Sequence, residues 1–183
     1  MAMETLHDLY VEELRDLYNA ENQLLKALPK MAKAATTPEL KAAFEEHFEV
    51  TRGQVNRLEK IFSDLDESPK GKKCKAMTGL VDEESDTVGD ADTEAVKDAA
   101  LIASAQKIEH YEIAGYGCVR SFARMLGYRD AEVLLQETLN EEGEADKKLT
   151  ELAEAGINHG AEMAANGTSD GKARAAKRRM NAE

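Results

Sequence analysis

The chain has 183 residues and a formal net charge of −12, with 42% hydrophobic residues, 33% charged residues, three prolines and no tryptophan. This length suits one domain with a sizeable core, and the composition is typical of long amphipathic helices. The negative charge argues against duplex nucleic acid as a partner, and two widely separated cysteines exclude a disulfide scaffold.

The sequence shows neither a signal peptide nor a membrane-spanning segment. Its first residues lack a basic stretch followed by an apolar core, as a signal peptide would have. No segment approaches the roughly 18 consecutive apolar residues of a membrane span. We therefore expect a cytoplasmic protein with no membrane partner.

The first predicted helix begins near the N-terminus and ends near Ala35. Its apolar residues recur in steps of three and four, the spacing of one helix face: Tyr10, Leu14, Leu17, Leu24, Leu28 and Met31. Position 21 belongs to the same stripe but holds Glu21.

The second predicted helix starts at residues 36–39, where two threonines, a proline and a glutamate supply a cap, a first-turn proline and a first-turn acid. It ends around residues 64–67. Its apolar stripe is Leu40, Phe44, Leu58, Ile61 and Leu65. Between the two halves of that stripe, the same face carries His47, Thr51 and Gln54.

Residues 67–91 form a long connection with a different composition. They comprise a basic loop at 70–73, a segment from Cys74 to Val81 that suits a short helix, and an acidic run at 82–86 that we expect to be solvated. A connection of this length predicts a crossover that makes the second and third long helices parallel.

The third predicted helix runs from about residue 92 to Leu126 and stops at Gly127. Its apolar face is wide and includes Glu109 and Glu112. This face, interrupted by two mid-helix glycines, Gly115 and Gly117, predicts a close helix approach and a homodimer.

The fourth predicted helix opens at Asp130 and carries Glu142 and Asp146 in phase with its apolar residues. We expect one bundle over residues 1–160 and a mobile basic tail over 161–183. That tail is the one segment that could contact nucleic acid, and only weakly.

The acids on these stripes are predicted to lie at one level of the bundle. Counted from the turn near residue 36, Glu21 is level with about residue 51, near Thr51 and Gln54. Counted from the turn near 127–128, Glu109 and Glu112 face Asp146 and Glu142. Such a cluster is costly unless a cation compensates it. Carboxylates with an imidazole suit iron or manganese; the alternative is that each acid lies at a helix edge.

The sequence resembles the YciF/YciE-like family of bacterial ferritin-like proteins over roughly residues 3–157. The matching stretches are Asn19–Leu24, His47–Gln54, Lys75–Leu80, Asp98–Ile102, Gln106–Ala114, Leu126–Tyr128 and Leu135–Glu142. The resemblance implies an all-α, ferritin-like, up-down-down-up four-helix bundle with a long crossover between helices two and three and a short extra helix. It also implies a dimer, a di-iron site and a role in stress.

Compared with the general ferritin-like pattern, Glu21, Glu109, Glu112 and Glu142 match ligand positions. Neither helix two nor helix four has a Glu-x-x-His motif: Ala145 stands in place of the histidine on helix four. His47 and Gln54 are then the helix-two candidates, and Asp146 is the nearest substitute on helix four. The full set predicted to bind metal is Glu21, His47, Gln54, Glu109, Glu112, Glu142 and Asp146.

Two functions follow as hypotheses. The first is a metal-binding protein with two iron ions, manganese or zinc being the alternatives, that oxidises Fe(II) with O₂ or peroxide. The second is a non-catalytic helical dimer with a structural or vestigial metal site, which acts through protein contacts. The retained carboxylates favour the first hypothesis, and the missing Glu-x-x-His motifs favour the second.

Overall fold

The computed structural model describes residues 3–164, which form five α-helices and no strand. These helices are α1 (Leu6–Ala34), α2 (Pro38–Asp64), α3 (Lys75–Gly89), α4 (Glu94–Leu126) and α5 (Arg129–Leu152). A π-helical turn, Ala153–Ile157, follows α5, and residues 158–164 are helical. The predicted all-helical class is confirmed; residues 165–183 of the predicted tail lie outside the described residues.

The helix ends are fixed by local chemistry that the sequence shows. Thr5 caps α1 through a capping box, in which Asp8 N–H donates to Thr5 Oγ1 at 3.1 Å and Thr5 N–H donates to Asp8 Oδ2 at 2.9 Å. Gly127 ends α4 with φ of 80°, in the left-handed region where glycine avoids a Cβ clash. The predicted stop at this glycine is confirmed.

The four long helices pack as two hairpins placed side by side. α1 packs on α2 and α4 packs on α5, each pair being joined by a short connection. The hairpins meet because α1 also packs on α4, and α2 also packs on α5. α3 lies outside this arrangement, against α4 and α1.

The crossover is more helical than predicted. The helix expected over residues 74–81 continues to Gly89, so that the acidic run at 82–86 is part of α3. Glu84 is buried because it lies seven residues after the buried Met77, on the same helix face. The rest of the run is exposed, as expected. The net charge of that run misled the prediction, whereas its periodicity is helical.

The interior consists of two apolar blocks with a polar layer between them. The first block includes Leu24, Leu28, Met31, Leu40, Phe44, Leu101, Ile108 and Leu149. The second includes Leu14, Leu17, Leu58, Ile61, Tyr116, Val119 and Leu135. Buried polar residues occupy the interval between the blocks on each long helix: Glu21, Thr51, Gln54, Glu109, Glu112, Thr138 and Glu142. We call this set, together with the nearly buried His47 of α2, the polar layer.

The close helix approach predicted at the mid-helix glycines occurs within one chain. A Cβ placed on Gly115 would lie 2.8 Å from Cδ2 of Leu17, so α1 and α4 approach each other closely at this point. A Cβ on Gly117 would meet no atom of the described residues within 4 Å.

Asp98 of α4 ties the two hairpins together at the turn between α1 and α2. The backbone N–H groups of Thr36 and Thr37 both donate to its carboxylate at 2.8 Å, and both threonine hydroxyls donate to it as well. Burial raises the pKa of Asp98, but these four hydrogen bonds outweigh burial and hold it below its usual range.

Replacing this carboxylate should destabilise the protein. Because Asp98→Ala removes the acceptor of four hydrogen bonds from a half-buried turn, we expect the free energy of unfolding to fall by about 1–3 kcal/mol, measured by urea denaturation. Asp92→Ala, which removes an exposed acid from the connection before α4, should change it by less than about 0.5 kcal/mol. Equal effects of the two substitutions would contradict this role of Asp98.

Candidate metal centre

Three side chains from three helices converge in the polar layer. Nε2 of His47 on α2 lies 3.3 Å from Oε1 of Glu109 on α4 and 4.0 Å from Oε2 of Glu142 on α5. One ligand atom from each residue lies within 4.8 Å of the other two. Both glutamates are buried and the side chain of His47 is 10% exposed. This is a group that could hold a metal ion.

Two further carboxylates of the polar layer are fully buried. Glu21 of α1 accepts a hydrogen bond from the hydroxyl of Tyr116 through Oε1. Glu112 lies one helical turn after Glu109, on the same face of α4. Repulsion from Glu21 and Glu142 acts on Glu112, so the four carboxylates form one electrostatic group.

Gln54 completes the layer from α2 and is held in place by a charged clamp. Its Nε2 donates to Oε2 of Glu141 at 3.3 Å, while Arg57 donates to both carboxylate oxygens of Glu141 at 2.6 and 2.7 Å. Arg57 also donates to the hydroxyl of Thr138 at 3.1 Å. Because the amide nitrogen is engaged, Oε1 of Gln54 is left as the free acceptor.

The polar layer contains most of the unpaired buried polar atoms of the structure. Among residues 3–164, ten buried side-chain atoms have no hydrogen-bond partner, and eight of these belong to six residues of this layer: Glu21, His47, Gln54, Glu109, Glu112 and Glu142. Buried polar groups are normally hydrogen-bonded, and an unpaired one costs roughly 1–3 kcal/mol. Eight such atoms in one place form a set of acceptor atoms that a bound cation could satisfy.

Burial and mutual repulsion shift the pKa values of these glutamates upward. Burial raises the pKa of Glu109 to about 8, and the charge on Glu21 adds to this effect. Burial also raises the pKa values of Glu21, Glu112 and Glu142 well above the usual range, with neighbouring carboxylates as the next cause. Without a cation, these shifts favour the protonated form of the four carboxyl groups.

His47 is shifted in the opposite direction. Burial lowers its pKa to about 4, so the imidazole is neutral at physiological pH. A neutral imidazole nitrogen is the form that binds a metal ion. The Nε2 atom of His47 is also one of the unpaired atoms, so its lone pair is available to a metal ion.

Asp146 lies outside this group, contrary to the position predicted from the sequence. Its side chain is 24% exposed, and its Oδ1 accepts from Gln106 Nε2 at 3.2 Å and lies 3.3 Å from Nε2 of His110. His110 is itself largely exposed. Asp146 is therefore paired with Gln106 and His110 at the edge of the bundle, and it is not one of the proposed metal ligands.

The positions that break the Glu-x-x-His pattern have clear structural roles. On α2, Arg52 donates to Glu49 at 2.8 Å on the surface, so this pair faces away from the polar layer. On α5, Ala145 lines a cavity beside His47. α2 thus contributes His47 in place of the motif, whereas α5 contributes Glu142 without the histidine that would follow it.

Sequence reasoning missed the clamp around Gln54. Arg57 lies three residues after Gln54, so both share a helix face, and Glu141 directly precedes Glu142. That spacing was a usable signal, but the partner of Arg57 lies 84 positions away and only the fold reveals it.

In the part of the chain that the structure describes, no helix has both the length and the apolar character needed to cross a membrane.

Comparison with known proteins agrees with the fold and with the sequence motifs. The family model described as "Domain of unknown function (DUF892)" matches residues 5–162. Protein YciF of Escherichia coli K12 is 45% identical over 163 residues, which is 88% of this chain and 98% of the relative.

Three solved structures are similar to varying degrees. The E. coli stress protein YciF matches with a TM-score of 0.82 at 44% identity, covering 85% of this chain and 99% of its own. YcfI from Rhodopseudomonas palustris, whose description suggests a structural role, matches with a TM-score of 0.78 at 43% identity, covering 80% and 94%.

The third structure is more distant. It is a two-domain protein from Anabaena variabilis with DJ-1/ThiJ/PfpI-like and ferritin-like domains. It matches with a TM-score of 0.53 at 18% identity, covering 85% of this chain and 38% of its own, so this likeness concerns the fold alone. Given the family match over most of its length and the E. coli relative, the chain belongs to the YciF-like family that this domain of unknown function defines.

Proposed function

We propose that this protein is a ferritin-like, metal-binding stress protein that holds two divalent ions, iron foremost, in its polar layer. The observation that carries the proposal is the set of eight unpaired buried atoms on six facing side chains. The stress role is taken from the E. coli relative, which is described as a stress protein.

The proposed ligands are Glu21, His47, Gln54, Glu109, Glu112 and Glu142. Their four carboxylates carry four negative charges when ionised, and two divalent cations balance that charge. Oxygen donors with one imidazole suit iron or manganese, and zinc remains the alternative.

Bound iron would supply one-electron chemistry towards O₂ or peroxide, with Fe(II) as the substrate of the proposed oxidation. The chain's own residues have separate tasks. Tyr116 orients Glu21 by donating to Oε1, so that Oε2 is left for a ligand. Glu141, held by Arg57, fixes the amide of Gln54 so that its Oε1 is left for a ligand.

The packing of the helices supports the ferritin-like, up-down-down-up arrangement. Two hairpins joined through α1 on α4 and α2 on α5, with a long crossover between them, are what that topology requires. Homodimerisation and a cytoplasmic location remain predictions from the sequence, as does weak nucleic-acid contact by the tail.

A structural metal site is the second candidate function. Ala145 supplies no ligand where the ferritin-like pattern has a histidine, so the donor set has one imidazole instead of two. A structural role has also been suggested for the R. palustris relative. In this alternative, the metal stabilises the bundle and the protein acts through contacts with other proteins.

Metal binding should stabilise the folded protein through Glu142. Addition of Fe(II) under anaerobic conditions, or of Mn(II), to demetallated protein should raise its melting temperature. At a metal concentration a hundredfold above Kd, the free energy of unfolding should rise by about 2.7 kcal/mol. Glu142→Gln should abolish this rise. It should also make the metal-free protein at least as stable as the wild type at pH 7.5, because a neutral amide replaces a buried acid.

The matched control is Glu151→Gln, which changes an exposed glutamate on the same helix and should retain the full metal-dependent rise. If neither Fe(II), Mn(II) nor Zn(II) raises the melting temperature of demetallated wild type, the polar layer is not a metal site.

The stability of the metal-free protein should fall between pH 6.5 and about 8. In this range the unfolded chain has already released the protons of these glutamates, whose ordinary pKa is 4.5, while folded Glu109 keeps its proton up to about pH 8. Each such carboxyl destabilises the folded state by about 1.4 kcal/mol per pH unit. His47 has the opposite effect, but only below its ordinary pKa of about 6.5.

Denaturation of metal-free and metal-loaded protein at several pH values measures this difference. Metal competes with protons for the same oxygens, so the stabilisation by metal should grow as the pH rises. A metal-free protein whose stability is constant from pH 6.5 to 8 would contradict the assigned burial of protonated glutamates.

Oxidation of Fe(II) separates the two candidate functions. Protein loaded anaerobically with two Fe(II) per chain and then mixed with O₂ or peroxide should oxidise the iron faster than the same concentration of protein-free Fe(II), followed by absorbance. Glu109→Gln should lose this acceleration. Metal-dependent stabilisation without any acceleration would favour the structural role.

A further inference from the structure

A cavity of about 160 Å³ lies between α2 and α5 and reaches the polar layer. Its inner end is formed by His47 and Glu109, its walls include Phe44 and Ala145, and its outer end carries Lys148 and two glutamates. We call it the α2–α5 cavity.

The inner end of this cavity carries unpaired donor atoms. Nε2 of His47 and Oε2 of Glu109 are both buried without a hydrogen-bond partner. The side chain of Glu109 is 4% exposed and that of His47 is 10% exposed. Two of the three residues of the converging group therefore face a space that a ligand can occupy, while Glu142 lies behind them at 0% exposure.

The volume of the cavity suits a small hydrated ion. A cavity needs roughly 10–15 Å³ of such space to hold one water, so 160 Å³ is room for several waters. That is enough for a divalent cation with part of its hydration shell, or for O₂ or peroxide. It is too small for an organic substrate of ordinary size, since pockets for such ligands begin at about 300 Å³.

An ion pair between the two helices crosses the outer end. Nζ of Lys148 on α5 contacts Oε2 of Glu46 on α2, and both side chains are about half exposed or more. Exposed pairs contribute little stability, on the order of 0–1 kcal/mol. This pair can therefore open without disturbing the fold, and Glu144 adds a further acid beside it.

Ala145 forms part of the wall beside His47. Alanine has only a Cβ atom, and this residue stands where the ferritin-like pattern has a histidine. A larger side chain at this position would extend into the cavity and narrow it.

We propose that the α2–α5 cavity is the route by which divalent cations reach the buried carboxylates, with the Lys148–Glu46 pair as its gate. The proposal rests on the metal-binding function above and adds the path to it. When the Lys148 ammonium faces the cavity mouth, its positive charge repels an incoming cation and the gate is closed. When Lys148 pairs with Glu46, its charge stays on the surface and the gate is open.

The test follows the rate at which demetallated protein takes up Co(II), by stopped-flow absorbance, together with the equilibrium affinity. Ala145→Leu fills the route, and we expect uptake and release both to slow by about tenfold or more, equivalent to about 1.4 kcal/mol in barrier. Because a route changes rates in both directions, Kd should stay close to that of the wild type. Ala131→Leu, at a half-buried alanine near the start of the same helix, should leave both rates unchanged.

The gate is tested separately by charge removal. Lys148→Met should speed Co(II) uptake several-fold at low salt, and the difference should shrink at high salt because screening weakens the charge effect. Lys147→Met removes an equivalent exposed lysine, which pairs with Glu151 on the same helix, and should have no effect.

The outcomes separate the route from the metal site. If Ala145→Leu binds Co(II) at the wild-type rate, the cavity is not the route, although the metal site stands. If Lys148→Met and Lys147→Met behave alike, Lys148 is not the gate. If demetallated wild type takes up no Co(II), Mn(II) or Fe(II), the metal-binding function fails and the route fails with it.

Discussion

Four carboxyl groups lie in the interior of this helical bundle, and their burial is the constraint on which the rest of the structure depends. Removing one ionised carboxylate from water costs several kcal/mol, and each neighbour of like charge adds to that cost. The apolar blocks on both sides pack the long helices together and keep most of the layer away from solvent. The guanidinium of Arg57 is already paired with Glu141. The proposed cations would compensate these four groups together.

The level of this layer could be predicted from the sequence because the hairpin turns are fixed points. Counting back and forward from Gly127 brings Glu112 opposite Glu142, at a rise of about 1.5 Å per residue. Asp146 satisfies the same count but lies at the bundle edge. Four residues rotate a helix by about 400°, so its side chain points about 40° away from that of Glu142. There its carboxylate accepts a hydrogen bond from Gln106, which a count along the helices does not reveal.

Contacts between distant segments could not be predicted, because their partners share no local pattern. In the sequence, Asp98 looks like any other acidic residue of a helix. Only the fold shows that the turn at 36–37 donates hydrogen bonds to its carboxylate. Arg57 and Glu141 are likewise ordinary surface residues in the sequence. The length of α3 was hidden for another reason: its acidic run suggests solvent, while its packing on α4 depends on one face of the helix alone.

The single imidazole of the site does not by itself favour a structural role. A metal that only holds a fold is usually enclosed by protein ligands, whereas a catalytic metal keeps a position open, as zinc sites illustrate. Ala145 removes one ligand relative to the ferritin-like pattern, and it also leaves the α2–α5 cavity beside His47 unfilled. In the proposed site, Ala145 therefore supplies no ligand, but it leaves space through which an ion or O₂ can approach His47. A site with fewer protein ligands and an approach from solvent is better suited to exchange ions or meet O₂ than to lock a helix bundle.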